Sequence, residues 1–548
     1  MLNQDKRPKG SRIFDYLHEH IIAIIIIVAV LAGSICMAII LHDNSNPQET
    51  DTEITEYQSM KTVYFAMDKV SSLNPLSSKA EDTHYISKLV FSSLFRLNSN
   101  LNIEKDLVDT YDVDTTDGSV SIKLKDNVEF TDGSDLTAYD VRYTVDQIGY
   151  LGNKSPYYAY ISKIDYVEVD EDLEMTIYFK SPADAALDNL TFPIVSSYSY
   201  DSGDPKPIGS GQYSYGSYAN KKLLKLKVNK DYYGKVATNA LQFKVISDKS
   251  KIPGLMTIDS ITAAVVTSND VAIDAEDKGL QVTPIPSNEV EYIGFNFKNQ
   301  YLKDVRVRQA IAKAIDCQNI IHDSYGGAGM VNDSIYYPGF LGSENAGDPY
   351  EQDQIGAAEL LQSCGYKDSD ENGFLENKKG KELELMILVN ENNDSRVDAA
   401  QTIADELNKI GINTSVEIKS WKSYKKALKK KKFDIYVGGY QFDQKYNLKE
   451  MFAKKNNLSY SNQDVLKYVK QLETALTAKQ QKEVYGKLKP ILTEEIPYYC
   501  ICYKTYNFIS VERFTAETIP TFFNRYRGAG FWQWERILTK EVEEETDN

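Results

Sequence analysis

From Ile21 to Leu41 the chain reads IIAIIIIVAVLAGSICMAIIL, without a charged residue. A helix over this run, rising about 1.5 Å per residue, reaches about 30 Å, the thickness of a bilayer's hydrocarbon core. It therefore predicts a membrane-spanning helix over 21–41, and the rest of the chain must be arranged around it. Lys6, Arg7, Lys9 and Arg12 precede the run, whereas no Lys or Arg follows it before Lys61. By the positive-inside rule, residues 1–20 form a cytoplasmic tail and the large remainder lies outside the cell. A cleaved signal peptide has a similar basic start, but its apolar part is shorter, about 7–15 residues. Lipidation would end the apolar run at a modifiable cysteine, yet Cys36 follows Ile35 and precedes MAIIL.

Residues 42–57 are polar, acidic and without an apolar period, which reads as a flexible linker. The chain has 548 residues, more than one domain at about 150 residues each. Its 42% hydrophobic and 26% charged residues fit a chain that buries a substantial core. A formal charge of −17 repels a phosphate backbone and argues against nucleic acid as a partner. With 5 histidines, no H-E-x-x-H spacing and no G-x-S-x-G elbow, neither a zinc hydrolase nor a serine hydrolase is indicated, and no catalytic residue is assigned.

From Thr62 the patterning is mixed α/β. TVYFAM predicts a strand, DTHYISKLVFSSLF a helix, and alternating Val120, Ile122 and Leu124 a half-buried strand. Thr137, with Asp140 three residues on, predicts a helix N-terminus. YVEVDEDLEMTIYF reads as a hairpin. A strand over Tyr292–Phe297 leads into a helix from Asp304, whose apolar face is Val307, Ala310, Ile311, Ala314 and Ile315. Helices are predicted in IGAAELLQSCGY and DAAQTIADELNKIGI, the second stopped by Gly411, and strands in TSVEIKSW and FDIYVGGY.

Several of these segments, in order, resemble the extracellular solute-binding proteins, family 5, that serve peptide and nickel ABC transporters. FTDGSDLTAYDV (Phe130 to Val141) is similar to the family's DG-x-x-x-TA-x-DV element, and PIGSGQY (Pro207 to Tyr213) to its P-x-G-x-G-x-Y turn. IGFNFKNQYLKDVRVRQAIAKAID (Ile293 to Asp316) resembles its strand-to-helix signature, and AAELLQSCGY (Ala357 to Tyr366) the helix before a hairpin. The resemblance implies a two-lobed periplasmic-binding-protein-like α/β fold of the large peptide-binding type, behind the membrane helix. Lobe I would comprise 58–290, with 91–187 as an inserted subdomain, completed by 508–540. Lobe II would comprise 291–507, and 541–548 an acidic tail. It also implies a monomer that captures oligopeptides in an interlobe cleft and hands them to ABC transporter permease subunits at the cell membrane. The alternatives are a peptide or pheromone sensor, nickel-complex binding, and a membrane-anchored hydrolase.

In peptide-binding members a strand ending in G-W-x-x-D delivers a carboxylate to the ligand's α-amino group. Gly439-Tyr440-Gln441-Phe442-Asp443 resembles it, with Tyr440 in place of the Trp. Asp443 is accordingly the expected partner of the peptide amino terminus, with Tyr440, Gly439 and Gln441 beside it in the ligand-binding segment. Against this stands the simpler role of Asp443 as a cap on a turn after a buried strand.

Other motifs read as structural. Gly209-Ser210-Gly211 lacks the third glycine of a dinucleotide loop, because Ser214 stands there, and predicts a turn. Asp368, Asp370, Asn372 and Gly373 copy the opening of a calcium loop, but Lys379 occupies the position that needs a bidentate Glu. A hairpin turn is expected there, with no metal and no cofactor. Lys429 to Lys432 read as a solvated helix face. Cys317, Cys364, Cys500 and Cys502 are expected as free thiols. Alternation in YYCICYK puts Cys500 and Cys502 on one face of a strand, where neighbours are poorly placed to bridge.

Overall fold

The computed structural model describes residues 54–201, 203–442, 446, 448–511 and 514–538. The predicted membrane run, the cytoplasmic tail, most of the linker and the acidic tail lie outside these residues. Among the described residues, no helix is long and apolar enough to cross a membrane. The chain divides into two compact units, one of 1–57 with 535–548 and one of 58–534. The described part of the first is strand only, residues 54–57 of the strand Ile54–Ser59 and 535–538 of the strand Gln533–Leu538.

The second unit follows the predicted order. Strand β1 (Thr62–Met67) leads to helix α1 (Glu81–Val90). Next come β2 (Val108–Asp114), β3 (Ser119–Leu124), α2 (Ala138–Leu151), β4 (Ile164–Glu171) and β5 (Glu174–Phe179). These four strands form an antiparallel sheet of their own, in the order β2-β3-β5-β4. Helix α2 starts where Thr137 predicts it, the Asp140 carboxylate accepting the Thr137 N–H at 2.8 Å. The chain returns through β6 (Tyr213–Ala219), β7 (Leu223–Val228), β8 (Ala240–Val245) and β9 (Ala263–Val266) to the long strand β10 (Gln281–Phe295).

Beyond β10 lie α3 (Val305–Ala314), α4 (Cys317–Tyr325), α5 (Gln354–Ser363), β11 (Glu384–Asn390), α6 (Asp394–Lys409), β12 (Asn413–Lys419), α7 (Trp421–Lys430) and β13 (Ile435–Gln441). The Asp304 carboxylate caps α3 by accepting the Arg306 N–H at 3.0 Å, and the predicted apolar face of that helix is fully buried. A second long strand, β14 (Tyr498–Ser510), then pairs antiparallel with β10 along both.

One sheet thus runs in the order β12-β11-β13-β10-β14-β9-β1-β8-β7-β6. The fold is two-lobed because β10 and β14 are shared between its halves. The C-terminal end of β14 pairs with β9 and its N-terminal end with the far half of β10, which in turn pairs with β13. Val63, Phe65, Leu224, Leu241 and Phe243 anchor one core, whereas Ile293, Phe295, Ile311, Ile387, Ile403 and Val437 anchor another. A tyrosine-rich cluster with Tyr292, Tyr336, Tyr436, Tyr485 and Tyr503 forms a third.

Two structural readings are sharpened by the packing. Gly209 and Gly211 press against the end of α1, where an added Cβ would meet the Val90 main chain at 2.1 and 2.5 Å, so the turn is a close backbone approach. The four cysteines outside the apolar run are free, as expected. Cys500 and Cys502, however, do not share a face. Glu291 pairs with Cys502 and Tyr292 with Cys500, so Ile501 is the extra residue of a bulge. Cys500 packs into the tyrosine-rich cluster and Cys502, with Ile501, into the core of α3 and α6.

Candidate functional site

The end of β13 pairs with the middle of β10, next to an interruption of the β10–β14 ladder. Gly439, Tyr440 and Gln441 stand opposite Glu291, Val290 and Glu289 of β10. Immediately before these, the β10–β14 ladder breaks between Pro286 and Val290. Pro284 and Pro286 have no N–H to give, so an interruption here is the local consequence of the sequence. The freed Asn288 instead ties β13 down: its carbonyl accepts the Phe442 N–H at 2.9 Å, and its side-chain amide donates to the Phe442 carbonyl at 2.5 Å.

Beside this break is a partly buried ionic cluster. Glu291 sits within the sheet at 1% exposure, and Arg396 from α6 grips it in a fork, Nε to Oε2 at 2.6 Å and Nη2 to Oε1 at 2.9 Å. Lys504 of β14 stands 3.1 Å from Glu289 and 3.6 Å from Glu291, and the Tyr325 hydroxyl donates to Glu291 at 3.4 Å. Burial alone would lower the pKa values of Arg396 and Lys504, but their carboxylate partners outweigh it and both are raised. Two carboxylates thus meet two cations, with no net formal charge. Gly439 is part of this arrangement: a Cβ there would lie 2.1 Å from Arg396 Nη2 and 2.7 Å from Glu291 Oε1. Only a strand without a side chain at this point lets the guanidinium reach across.

Tyr440 and Gly439 are half-buried and Gln441 is exposed. The Tyr440 ring meets Phe442 edge-on at 4.9 Å, and Phe442 stacks on Tyr446 at 4.6 Å, so an aromatic floor follows the strand. Asp443 lies outside the described residues.

A cavity of about 340 Å³ opens between α1 and the C-terminal segment, bordered by His84, Arg96, Asp106, Tyr157, Asn524 and Arg527. Burial, helped by the nearby Lys88 charge, lowers the His84 imidazole to about 3, so it is neutral at working pH. Its Nδ1 is 3.2 Å from the Tyr157 hydroxyl. Neutral ring, hydroxyls and charges of both signs suit a polar ligand portion rather than a purely apolar one.

Residues 102–459 match the model of the bacterial extracellular solute-binding proteins, family 5 (middle). The chain belongs to that family. The oligopeptide-binding protein AppA of Bacillus subtilis is 25% identical over 460 residues, covering 78% of this chain and 83% of its own. Among solved structures, the nickel ABC transporter protein of Bacillus halodurans aligns with a TM-score of 0.71 at 18% identity, over 85% of this chain and 98% of its own. An ABC transporter substrate-binding protein from Sinorhizobium meliloti aligns at 0.69 and 20% identity, over 88% and 100%. At these identities the structures speak for the two-lobed fold alone.

The sequence of this family 5 protein singles out the β13 segment but not Glu291, Arg396 and Lys504, which pack beside it. One signal was present: Glu291 is a lone carboxylate in the otherwise apolar run of VEYIGF. A charge inside a strand buried on both faces must have a partner. Which of the chain's many cations supplies it depends on tertiary packing.

Proposed function

We propose that this protein is the membrane-anchored, extracellular substrate-binding subunit of an ABC transporter and captures oligopeptides between its lobes. Lobe I is assigned to 58–290 with 508–540, carrying 91–187 as an insert, and lobe II to 291–507. The helix over 21–41 tethers the receptor to the membrane, which keeps it near its permease subunits. The protein carries out no chemistry on the peptide. Closure of the lobes is driven by contacts that the ligand makes with both halves.

In this reading the Asp443 carboxylate receives the peptide's amino terminus, Tyr440 forms a flat wall, and Gly439 and Gln441 offer main-chain groups to an extended ligand. The observation that carries it is the charge balance at the lobe junction. Glu289 and Glu291 are already matched by Lys504 and Arg396, so an arriving ammonium needs a further carboxylate. Desolvating that ammonium without one costs several kcal/mol. Similarity to an oligopeptide-binding protein across most of both chains supports the peptide over other solutes.

Asp443→Ala should weaken a peptide with a free amino terminus by about 2–5 kcal/mol and leave its N-acetylated form almost unchanged, as measured by calorimetric titration. Equal losses for both peptides would remove Asp443 from this role. No binding of either peptide by the unaltered protein would remove the peptide reading itself.

A further inference from the structure

The segment joining α5 to β11 is a turn, as its sequence predicts. Lys367 and Glu376 close it by exchanging main-chain hydrogen bonds of 2.9 and 2.8 Å. Inside it, Asp368 accepts the Asn372 and Gly373 N–H groups and Asp370 accepts the Asn372 N–H and side-chain amide, but Glu376 is not fully satisfied. Asp368, Asp370 and Glu376 each bring an oxygen within 4.8 Å of the others. Glu376 is 5% exposed. Its Oε2 accepts the Ser369 N–H at 2.8 Å, but its Oε1 is buried without a hydrogen-bond partner. None of the ion pairs found among the described residues involves these three side chains. A buried carboxylate oxygen with no donor is unfavourable by itself, and like charges beside it make it more so. A cation removes both costs.

We propose that Asp368, Asp370 and Glu376 hold a calcium ion. The donors are all oxygen, which disfavours zinc and its preference for nitrogen and sulfur. Two of them are exposed, so water has access to complete a shell of 6 to 8 oxygens, which calcium accepts in irregular geometry and magnesium does not. The linear pattern argues against such a site because Lys379 stands where the closing Glu belongs. Folding supplies that carboxylate from another place. The Lys367–Glu376 pairing doubles the chain back, so the Glu376 side chain meets Asp368 and Asp370 from the opposite limb of the turn. The Asn372 and Gly373 N–H groups meanwhile orient Asp368, at 3.1 and 3.0 Å. Leu375 N–H donates to the Gly411 carbonyl at 2.8 Å, so an ion here would fasten the turn to the end of α6.

The test is calorimetric titration of chelator-treated, full-length protein with CaCl2, alongside thermal denaturation. One saturable site is expected, with a dissociation constant of about 10⁻⁴–10⁻³ M, the range of extracellular calcium modules. Tm should rise by about 2–4 °C at saturating calcium. Asp370→Asn, at an exposed position, should weaken calcium binding at least tenfold and abolish the Tm rise. Glu376→Gln should do the same while leaving the ion-free Tm unchanged or higher, since an amide places no charge in the turn. If Glu376→Gln does not fold, Asp370→Asn decides. Absence of saturable binding, undiminished binding in the variants, or equal binding of MgCl2 would overturn the assignment.

Discussion

Position 439 shows how a single missing side chain governs the lobe junction. The Arg396–Glu291 fork passes through the space that a Cβ at 439 would take, 2.1 Å from Nη2. Gly439→Ala should therefore push Arg396 off Glu291 and leave a fully buried carboxylate short of its main partner. Uncompensated buried charges cost about 3–5 kcal/mol, and urea denaturation would read that loss. A change within about 1 kcal/mol would mean that the fork can shift sideways without losing its hydrogen bonds. The sequence singles out this glycine through its resemblance to a family motif, but its steric duty is not legible there. The guanidinium it accommodates comes from a helix some forty residues earlier in the chain.

Among elements, α6 carries, besides Arg396, a buried carboxylate with an environment of its own. Glu406 faces the start of α4, where it accepts the Asp316 N–H at 3.2–3.3 Å. Burial raises its pKa to about 7; the Asp316 N–H opposes the rise and the Asp316 charge adds to it. The unfolded chain releases this proton near pH 4.5, so between about 4.5 and 7 the folded state holds more of it. That contribution is complete at low pH, is lost as pH rises through this window, and stays lost above it. Glu406→Gln should flatten the slope: Tm at pH 8 rises relative to the unaltered protein, while Tm at pH 4 hardly changes. An unaltered slope in the variant would place the titration elsewhere. Element identity was readable from period and capping, as for α3 and α2. The bulge at Ile501 was not, because strict alternation in YYCICYK gives no local sign of an extra residue. The opposing strand imposes it by pairing Tyr292 with Cys500 and Glu291 with Cys502.

For the molecule as a whole, the cores are interleaved rather than separate. Phe522 and Phe523, late in the chain, join the tyrosine-rich cluster with Val290 and Tyr503, and Leu476 joins the core of β1 and β8. With β10 and β14 continuous through both lobes, residues 58–534 should unfold in one calorimetric transition. A peptide at 100 times its dissociation constant should move that whole transition, stabilising by about 2.7 kcal/mol. Two transitions, of which the ligand moves one, would mean that the lobes melt separately. By itself, the sequence determined which segments are helix or strand, and the family, because period, caps and ordered motifs are local properties. Tertiary structure alone decided that Glu291 meets Arg396 and Lys504, and that Glu376 turns back on Asp368 and Asp370. Those partners are distant in the chain or reversed by a turn, and only packing brings their charges within range.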